Sequence, residues 1–371
     1  MSQHASSGSA AINPADEQMH PIGAGPAWSE SYYFNFVDPT TKLAMFTRMG
    51  FRPGDRWADG LHAVYLGGDR VAFTYARREI GPDLAAYNDN LEVGGLRLDC
   101  LEPFEHWRIR YEGPAQDIAD AAILLERSKS RPAGWFKPAT LQMSVDFKAL
   151  SAPHYSRQPA DAPTDRGHFE HTGEVTGEIS IGGAPHRVHG YGVRDKSWGP
   201  RDWGASAAGQ KRDAVGQEES ALGQEGSALG QEGSARGQAT QSTNAPAPFV
   251  NWFSMNFGPD LALGGACGRN ADGELRGAGW ILRDGVNEDL EDVLIETRYK
   301  SGSILHTDIR LTGRSASGRV TVVDGRILTV CPTKIPMPGG ATFVNEGLAQ
   351  FSTEGRTGFG ISEHWHMVQG A

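Results

Sequence analysis

The chain has 371 residues, of which 39% are hydrophobic and 22% are charged, and its formal net charge is −10. This size and balance predict two folded domains, and the lack of a basic run argues against binding to nucleic acid or to anionic membranes. No stretch approaches about 18 consecutive apolar residues, so we predict no membrane span.

The first 27 residues are small, polar and rich in proline and glycine. They lack the charged start and the apolar core of a signal peptide, so we expect a disordered tail over residues 1–27. The cysteines Cys100, Cys267 and Cys331 lie far apart, without metal or redox spacing. A sparse, odd count favours a reducing compartment over a disulfide framework, and we expect a cytoplasmic protein.

From Trp28 the sequence has the pattern of short β-strands. The segment SYYFNFVD (31–38) alternates aromatic and polar residues, which predicts a half-buried strand, and similar runs follow between Gly, Pro and Asp. The segment DIADAAILLERSK (117–129) is an exception with a helical pattern. We therefore predict a first antiparallel β domain over residues 28–204.

Residues 205–247 contain a seven-residue repeat that begins with Gly-Gln at positions 209, 216, 223, 230 and 237. The apolar positions of each repeat are adjacent and each repeat contains glycine, which disfavours a coiled coil. We predict a disordered surface loop without function. About eight strand-like runs follow over residues 248–371, enough for a barrel of lipocalin size. The predicted fold class is all-β, with two tandem antiparallel barrels.

The stretch HGYGVRDKSWGPRDWG (189–204) lies where the two domains join. The segments FEHTGEVTGEISIGGAPHRVHGYGVRDKSWGPRDW, NWFSMNF and EGLAQF…GRTGFGISEHW resemble the AttH-like and carotenoid 1,2-hydratase (hydroxyneurosporene synthase) superfamily. This resemblance implies two lipocalin-like barrels in tandem and spans nearly everything except the tail and the repeats. Relatives commonly have histidine where this chain has Lys196, so no role of that histidine transfers. The fold transfers and the reaction does not.

Alternation along this stretch places two sets of side chains on opposite faces of a strand: Tyr191, Val193, Asp195 and Ser197 on one, and Arg194, Lys196 and Trp198 on the other. Adding water to an alkene requires a carboxyl group kept protonated by burial, and aromatic faces that stabilise the cation. We hypothesise that Asp195 is this acid. Its proposed companions are Tyr191, Trp198 and Trp203, with Glu363 or Asp202 guiding the water. The remaining predicted substrate contacts are Arg194, His189, Trp252 and Trp365.

A structural role is the alternative for several of these residues. The pairs Arg194–Asp195 and Arg201–Asp202 would then lock the junction between the domains, with the neighbouring tryptophans as packing anchors. His171 or His189 is a candidate catalytic base. His364 and His366 share a strand face, as two metal ligands would, but nothing in the sequence brings a third ligand to them from His168, His171, His186 or His189. We predict no metal and no cofactor.

Three functions remain open at this stage. The first is a cofactor-independent enzyme that hydrates, isomerises or cyclises an apolar terpenoid, steroid-like or polyketide substrate. The second is a non-catalytic binding protein for such a ligand, and the third is an interaction scaffold. A buried carboxyl group that faces a pocket beside aromatic rings would favour the enzyme.

Overall fold

The computed structural model describes residues 12–23, 27–156, 165–201, 247–269, 275–337 and 339–370. Two antiparallel sheets contain nearly all of its regular structure. Five short 3₁₀ helices accompany them: Pro14–Glu17, Pro53–Asp55, Leu84–Tyr87, Ala121–Leu125 and Ser128–Ser130. No helix in these ranges has the length and apolar character needed to cross a membrane.

The first sheet has eleven strands: β1 (Trp28–Val37), β2 (Ala44–Arg52), β3 (Trp57–Tyr65), β4 (Val71–Glu79), β5 (Leu91–Val93), β6 (Leu96–Glu102), β7 (His106–Ile118), β8 (Lys137–Ala149), β9 (His154–Tyr155), β10 (Gly167–Ile181) and β11 (Ala184–Pro200). Their order is β4-β3-β2-β1-β11-β10-β8-β7-β6-β5, with β9 beside β10. Because β4 also pairs with β7, the sheet curls back on itself around an aromatic core.

The second sheet is a closed barrel of eight strands: β12 (Val250–Asn256), β13 (Leu261–Arg269), β14 (Leu275–Arg283), β15 (Val286–Tyr299), β16 (His306–Ser315), β17 (Val320–Met337), β18 (Gly340–Thr353) and β19 (Arg356–Gln369). The strands follow chain order, and β12 pairs with β19 to close the ring. Both sheets confirm the predicted all-β class and the lipocalin-like barrels. The predicted repeat loop lies outside the described residues except for position 247.

The two barrels pack against each other through β1, β10 and β11 of the first and β12, β18 and β19 of the second. Strand β1 is buried along its whole length, so the predicted half-buried strand is wrong. One face of β1 fills the first barrel with Phe34 and Phe36, and its other face meets the second barrel. There the Asn35 amide donates to Ser254 Oγ over 2.9 Å.

The segment 12–23 packs against the first barrel, so the expected disordered tail is wrong for these residues. The carboxylate of Glu17 forms a buried ion pair with Arg194, and the ring of His20 stacks on Trp198 at 3.9 Å between centroids. Residues 1–11 and 24–26 of the predicted tail lie outside the described ranges.

Two cations of the 189–204 stretch hold this segment in place. Arg194 is fully buried, and the ring of Trp107 lies 4.5 Å from its guanidinium carbon. Lys196 is equally buried; it pairs with Glu30 and donates to the Gln18 carbonyl oxygen over 3.1 Å. Arg194 pairs with Glu17 across the fold, which corrects the expected Arg194–Asp195 pair: neighbours in a strand point to opposite faces.

Candidate functional site

A cavity of about 960 Å³ lies between the two barrels and is lined by residues of both. One row of the first sheet leads to it: Glu170 on β10 pairs with Asp195 on β11, which pairs with Tyr33 on β1, which pairs with Arg48 on β2, and all of these except Glu170 line the cavity. Residues directly opposite each other in antiparallel strands share a face, so this row brings acidic, phenolic and cationic groups together at the domain interface.

A pair of carboxyl groups forms the opposite wall of the cavity. Glu346 on β18 and Glu363 on β19 are cross-strand neighbours, and their carboxyl groups interact electrostatically. The Tyr33 hydroxyl reaches across from the first barrel and donates to Glu346 Oε2 over 3.0 Å. The Trp365 indole N–H donates to Glu363. Both glutamates are buried, at 3% and 8% exposure.

Burial raises the pKa of Glu346 well above its ordinary value, and the adjacent Glu363 raises it further. Burial also raises the pKa of Glu363. Two carboxylates in contact in a region of low polarity cannot both ionise readily. The pair therefore favours a state in which one of its two carboxyl groups is protonated.

A second group of titratable side chains lies across the interface. The Nε2 atom of His168 is 2.7 Å from Asp195 Oδ2 and 3.3 Å from Glu170 Oε1, and its Nδ1 atom is 2.7 Å from Ser156 Oγ. Burial lowers the pKa of His168, but Asp195 and then Glu170 raise it more, so its pKa lies above the ordinary value. The two carboxyl groups therefore favour the charged form of the imidazole.

Two tryptophans of the second barrel hold Glu170. The indole N–H groups of Trp252 and Trp280 donate to its two oxygens over 2.6 Å and 2.8 Å. Burial raises the pKa of Glu170, which is 1% exposed. One atom each of His168, Glu170 and Asp195 lie within 4.8 Å of one another, a spacing from which a divalent cation could be held. That no metal binds stays a prediction of the sequence.

The structure brings five of the predicted site residues to the cavity: Asp195, Glu363, Trp198, Trp252 and Trp365. The other four predicted site residues that the structure describes do not line the cavity. His171 and Arg194 point into the first barrel, where burial and the Arg194 charge lower the pKa of His171. Tyr191 and His189 lie farther along β11, where the exposed His189 pairs with Glu174. Trp203, like Asp202, lies outside the described residues.

His364 and His366 lie inside the second barrel, on the opposite face of β19 from Glu363. The ring of His364 stacks on His306 at 3.9 Å, and its Nδ1 atom is 2.9 Å from the Tyr299 hydroxyl. Burial lowers the pKa of His364. These histidines are therefore separate from the group around His168, so His168 does not join them as a third ligand.

Sequence reasoning missed Glu346, Glu170 and Tyr33. A signal for Glu346 was present, because Thr353 and Arg356 flank a two-residue Glu-Gly turn. Such a turn fixes the register of a hairpin, and counting back from it places Glu346 opposite Glu363. The same count from the Gly-Gly turn between β10 and β11 places Glu170 opposite Asp195.

Three solved structures are similar to this chain. An AttH-type protein from Nitrosomonas europaea is 15% identical, covers 97% of this chain and 98% of its own, and has a TM-score of 0.58. Kievitone hydratase from Nectria haematococca is 8% identical, with coverages of 96% and 93% and a TM-score of 0.50. CghA in complex with Sch210972 is 13% identical, with coverages of 93% and 89% and a TM-score of 0.49.

No protein with a curated description matches the chain in sequence. The structural matches confirm the AttH-like resemblance at the level of the fold. The sequence profile of one family, described as a domain of unknown function (DUF7064), matches residues 13–237 and 242–368. Since these ranges include both barrels, the chain belongs to the DUF7064 family and has the tandem-barrel fold of AttH-like proteins.

Proposed function

We propose that the protein is a cofactor-independent enzyme that protonates an apolar substrate in the cavity between its barrels. The observation that carries this proposal is the buried cross-strand pair of Glu346 and Glu363 on the cavity wall. A carboxyl group that stays protonated at neutral pH is the group that acid catalysis on an alkene requires. In this proposal Glu346 takes the role of the acid that the sequence suggested for Asp195.

The reaction begins when the Glu346 carboxyl proton moves to one alkene carbon, forming a C–H bond and leaving a carboxylate and a carbocation. The indole faces of Trp252 and Trp365 and the negative charge left on the glutamate pair stabilise this cation. In a hydration, a water oxygen then forms a C–O bond with the cation. The proton that this water loses goes to the Asp195 carboxylate beside His168.

Isomerisation and cyclisation follow from the same cation. If a neighbouring carbon loses a proton to the glutamate pair, the double bond returns at a new position. If a second double bond attacks the cation, a ring closes before the proton is lost. Hydration is the first reaction to test, because kievitone hydratase, by its name a hydratase, has this fold.

The substrate class is an apolar molecule of terpenoid, steroid-like or polyketide type. A volume of about 960 Å³ is at the upper end of ordinary small-molecule sites, about 300–1,000 Å³. Leu61 and Phe73 on the first barrel and Val250 on the second provide apolar lining. The largely apolar lining also limits the water that reaches the cation.

A panel of unsaturated terpenoids, steroids and polyketides incubated in D₂O would test the proposal by mass spectrometry. Hydration, isomerisation and cyclisation would each add deuterium to a carbon atom of the substrate, and hydration would also add the mass of water. We expect Glu346→Gln to bind substrate but to lose at least about 100-fold in rate, because the amide cannot supply the proton. Glu354→Gln, which changes an exposed glutamate on the hairpin turn, serves as the control.

A non-catalytic binding protein is the alternative, because a cavity of this size would hold an apolar ligand without reacting with it. Native mass spectrometry followed by solvent extraction would identify a co-purifying molecule. The binding-protein hypothesis would replace the enzyme hypothesis if the wild-type protein and the Glu346→Gln variant retain the same ligand equally and neither adds deuterium to its carbon atoms.

A further inference from the structure

The first-barrel wall of the cavity changes in character along its strands. At the level of Tyr33, β2 and β3 contribute Arg48 and Leu61. Four residues farther along β2, the cross-strand pair is Arg52 and Trp57. At about 3.3 Å per residue, this second level lies about 13 Å from the first. We call the level of Tyr33 the reacting end of the cavity and the level of Arg52 and Trp57 its cationic end. The two ends are separated along one sheet.

Arginine side chains stack on a tryptophan at this second level. The guanidinium carbons of Arg52 and Arg77 lie 4.4 Å and 4.1 Å from the centroid of the Trp57 ring. Arg77 also donates to the hydroxyl of Tyr75, which is 47% exposed. A guanidinium stacked on an indole presents its N–H groups at its edge, in a geometry that matches carboxylate or phosphate.

Positive charge is concentrated around this stack. The guanidinium of Arg48 lies directly over Gly50, in the space that a larger side chain at this position would fill. It pairs with Asp59 over 3.1 Å. Burial lowers the pKa of Arg52 to about 10, and the charge of Arg48 contributes to this shift. The charge of Arg48 lowers the pKa of Arg52 more than the charge of Asp59 raises it, so an anion beside Arg52 would offset this repulsion.

We propose that the ligand of this cavity carries an anionic group, a carboxylate or a phosphate, that binds against Arg52 and Arg77. The inference rests on the proposed function, because it narrows the substrate class of the same site to amphipathic molecules. The anionic group lies at the cationic end, and the apolar body extends past Leu61 toward Tyr33 and the glutamate pair. Such a ligand places its reactive double bond about 13 Å from its charge.

Binding of decanoate, decyl phosphate and 1-decanol to the purified full chain would test this inference by isothermal titration calorimetry. We expect decanoate or decyl phosphate to bind about tenfold or more tightly than decanol in 50 mM NaCl, because charge-assisted hydrogen bonds add to the same apolar burial. The preference should narrow in 500 mM NaCl, where charges are screened more strongly. Whichever anion binds more tightly identifies the anionic group.

The double substitution Arg52→Met and Arg77→Met should abolish the preference while leaving decanol binding unchanged. Arg97→Met, which removes an exposed arginine paired with Asp99 away from the cavity, should keep it. Equal binding of anion and alcohol by the wild type, or a preference that survives in the double variant, would overturn the inference. Neither result affects the acid role of Glu346, which turnover in D₂O tests separately. Failure of all three probes to bind would also overturn the inference, while turnover in D₂O would still decide the acid role of Glu346.

Discussion

Replacing His62 by phenylalanine should remove a defined part of the acid sensitivity of the fold. His62 lies on β3, fully buried in the first barrel, with its ring centroid 5.6 Å from that of Tyr111. Neither ring nitrogen has a hydrogen-bond partner among the residues that the structure describes. Burial lowers the pKa of His62 from 6.5 to about 3, so the folded protein keeps this histidine neutral under mildly acidic conditions.

The sign and size of the effect follow from proton linkage. Below pH 6.5 the unfolded chain binds a proton at His62 that the folded protein does not bind until about pH 3, so stability falls as the pH falls through this window. Between pH 7 and pH 5 the loss from this one residue is about 2 kcal/mol. Burial lowers the pKa of other histidines too, so the wild type should lose more in total: His171, His306 and His364.

Urea unfolding of the wild type and of His62→Phe, followed by circular dichroism at pH 7 and pH 5, would measure this effect. The difference in unfolding free energy between the two pH values should be smaller by about 2 kcal/mol in the variant. The larger ring can cost about 1–3 kcal/mol through overpacking, so the change with pH is the diagnostic quantity. His186→Phe, at an exposed position, is the control. An unchanged pH dependence in His62→Phe would refute the reasoning.

Two further substitutions test the interactions that hold the site. Trp280→Phe removes an indole donor from Glu170 and should destabilise the protein by about 1–3 kcal/mol in urea unfolding; a neutral result would contradict a structural role for this hydrogen bond. Lys196→Met leaves Glu30 buried without its cation and should cost about 3–5 kcal/mol. Adding Glu30→Gln should recover much of that loss, and no recovery would argue against the pairing.

Much of the fold could be predicted because its signals are local. Period-two alternation and glycine-rich turns were enough to assign strands and two barrels. Alternation also separated the faces of β11 correctly, since Asp195 and Ser197 line the cavity while Arg194 and Lys196 are buried within the first domain. Trp198 keeps this alternation: its ring stacks on His20 and lies 5.3 Å from Lys196 Nζ, and it also borders the cavity. Gly199 follows it with φ of 116°, a backbone region that favours glycine.

The rest depended on contacts between segments distant in sequence. The segment at 12–23 has the composition of a tail, and it is ordered because Arg194 and Lys196 offer buried cations that need partners. The amino-acid composition does not show that these two cations are buried, nor which way their side chains point. The hydrogen bond from Tyr33 to Glu346 joins residues 313 positions apart. Hairpin turns could have predicted each acidic pair, but not that the two pairs face a common cavity.

The position of the site between the barrels explains how its acid arises. The glutamate pair belongs to the second barrel, but Tyr33 and Tyr65 of the first barrel donate to Glu346, through its carboxylate and its backbone carbonyl. Reciprocally, Glu170 belongs to the first barrel and is held by indoles of the second. Since burial is the main cause of the raised pKa of Glu346, and contact between the barrels provides part of that burial, the raised pKa is a property of the docked pair. The hydrogen bond from Tyr33 acts the other way and lowers this pKa, so the barrel contact favours the proposed proton donor through burial and not through that bond.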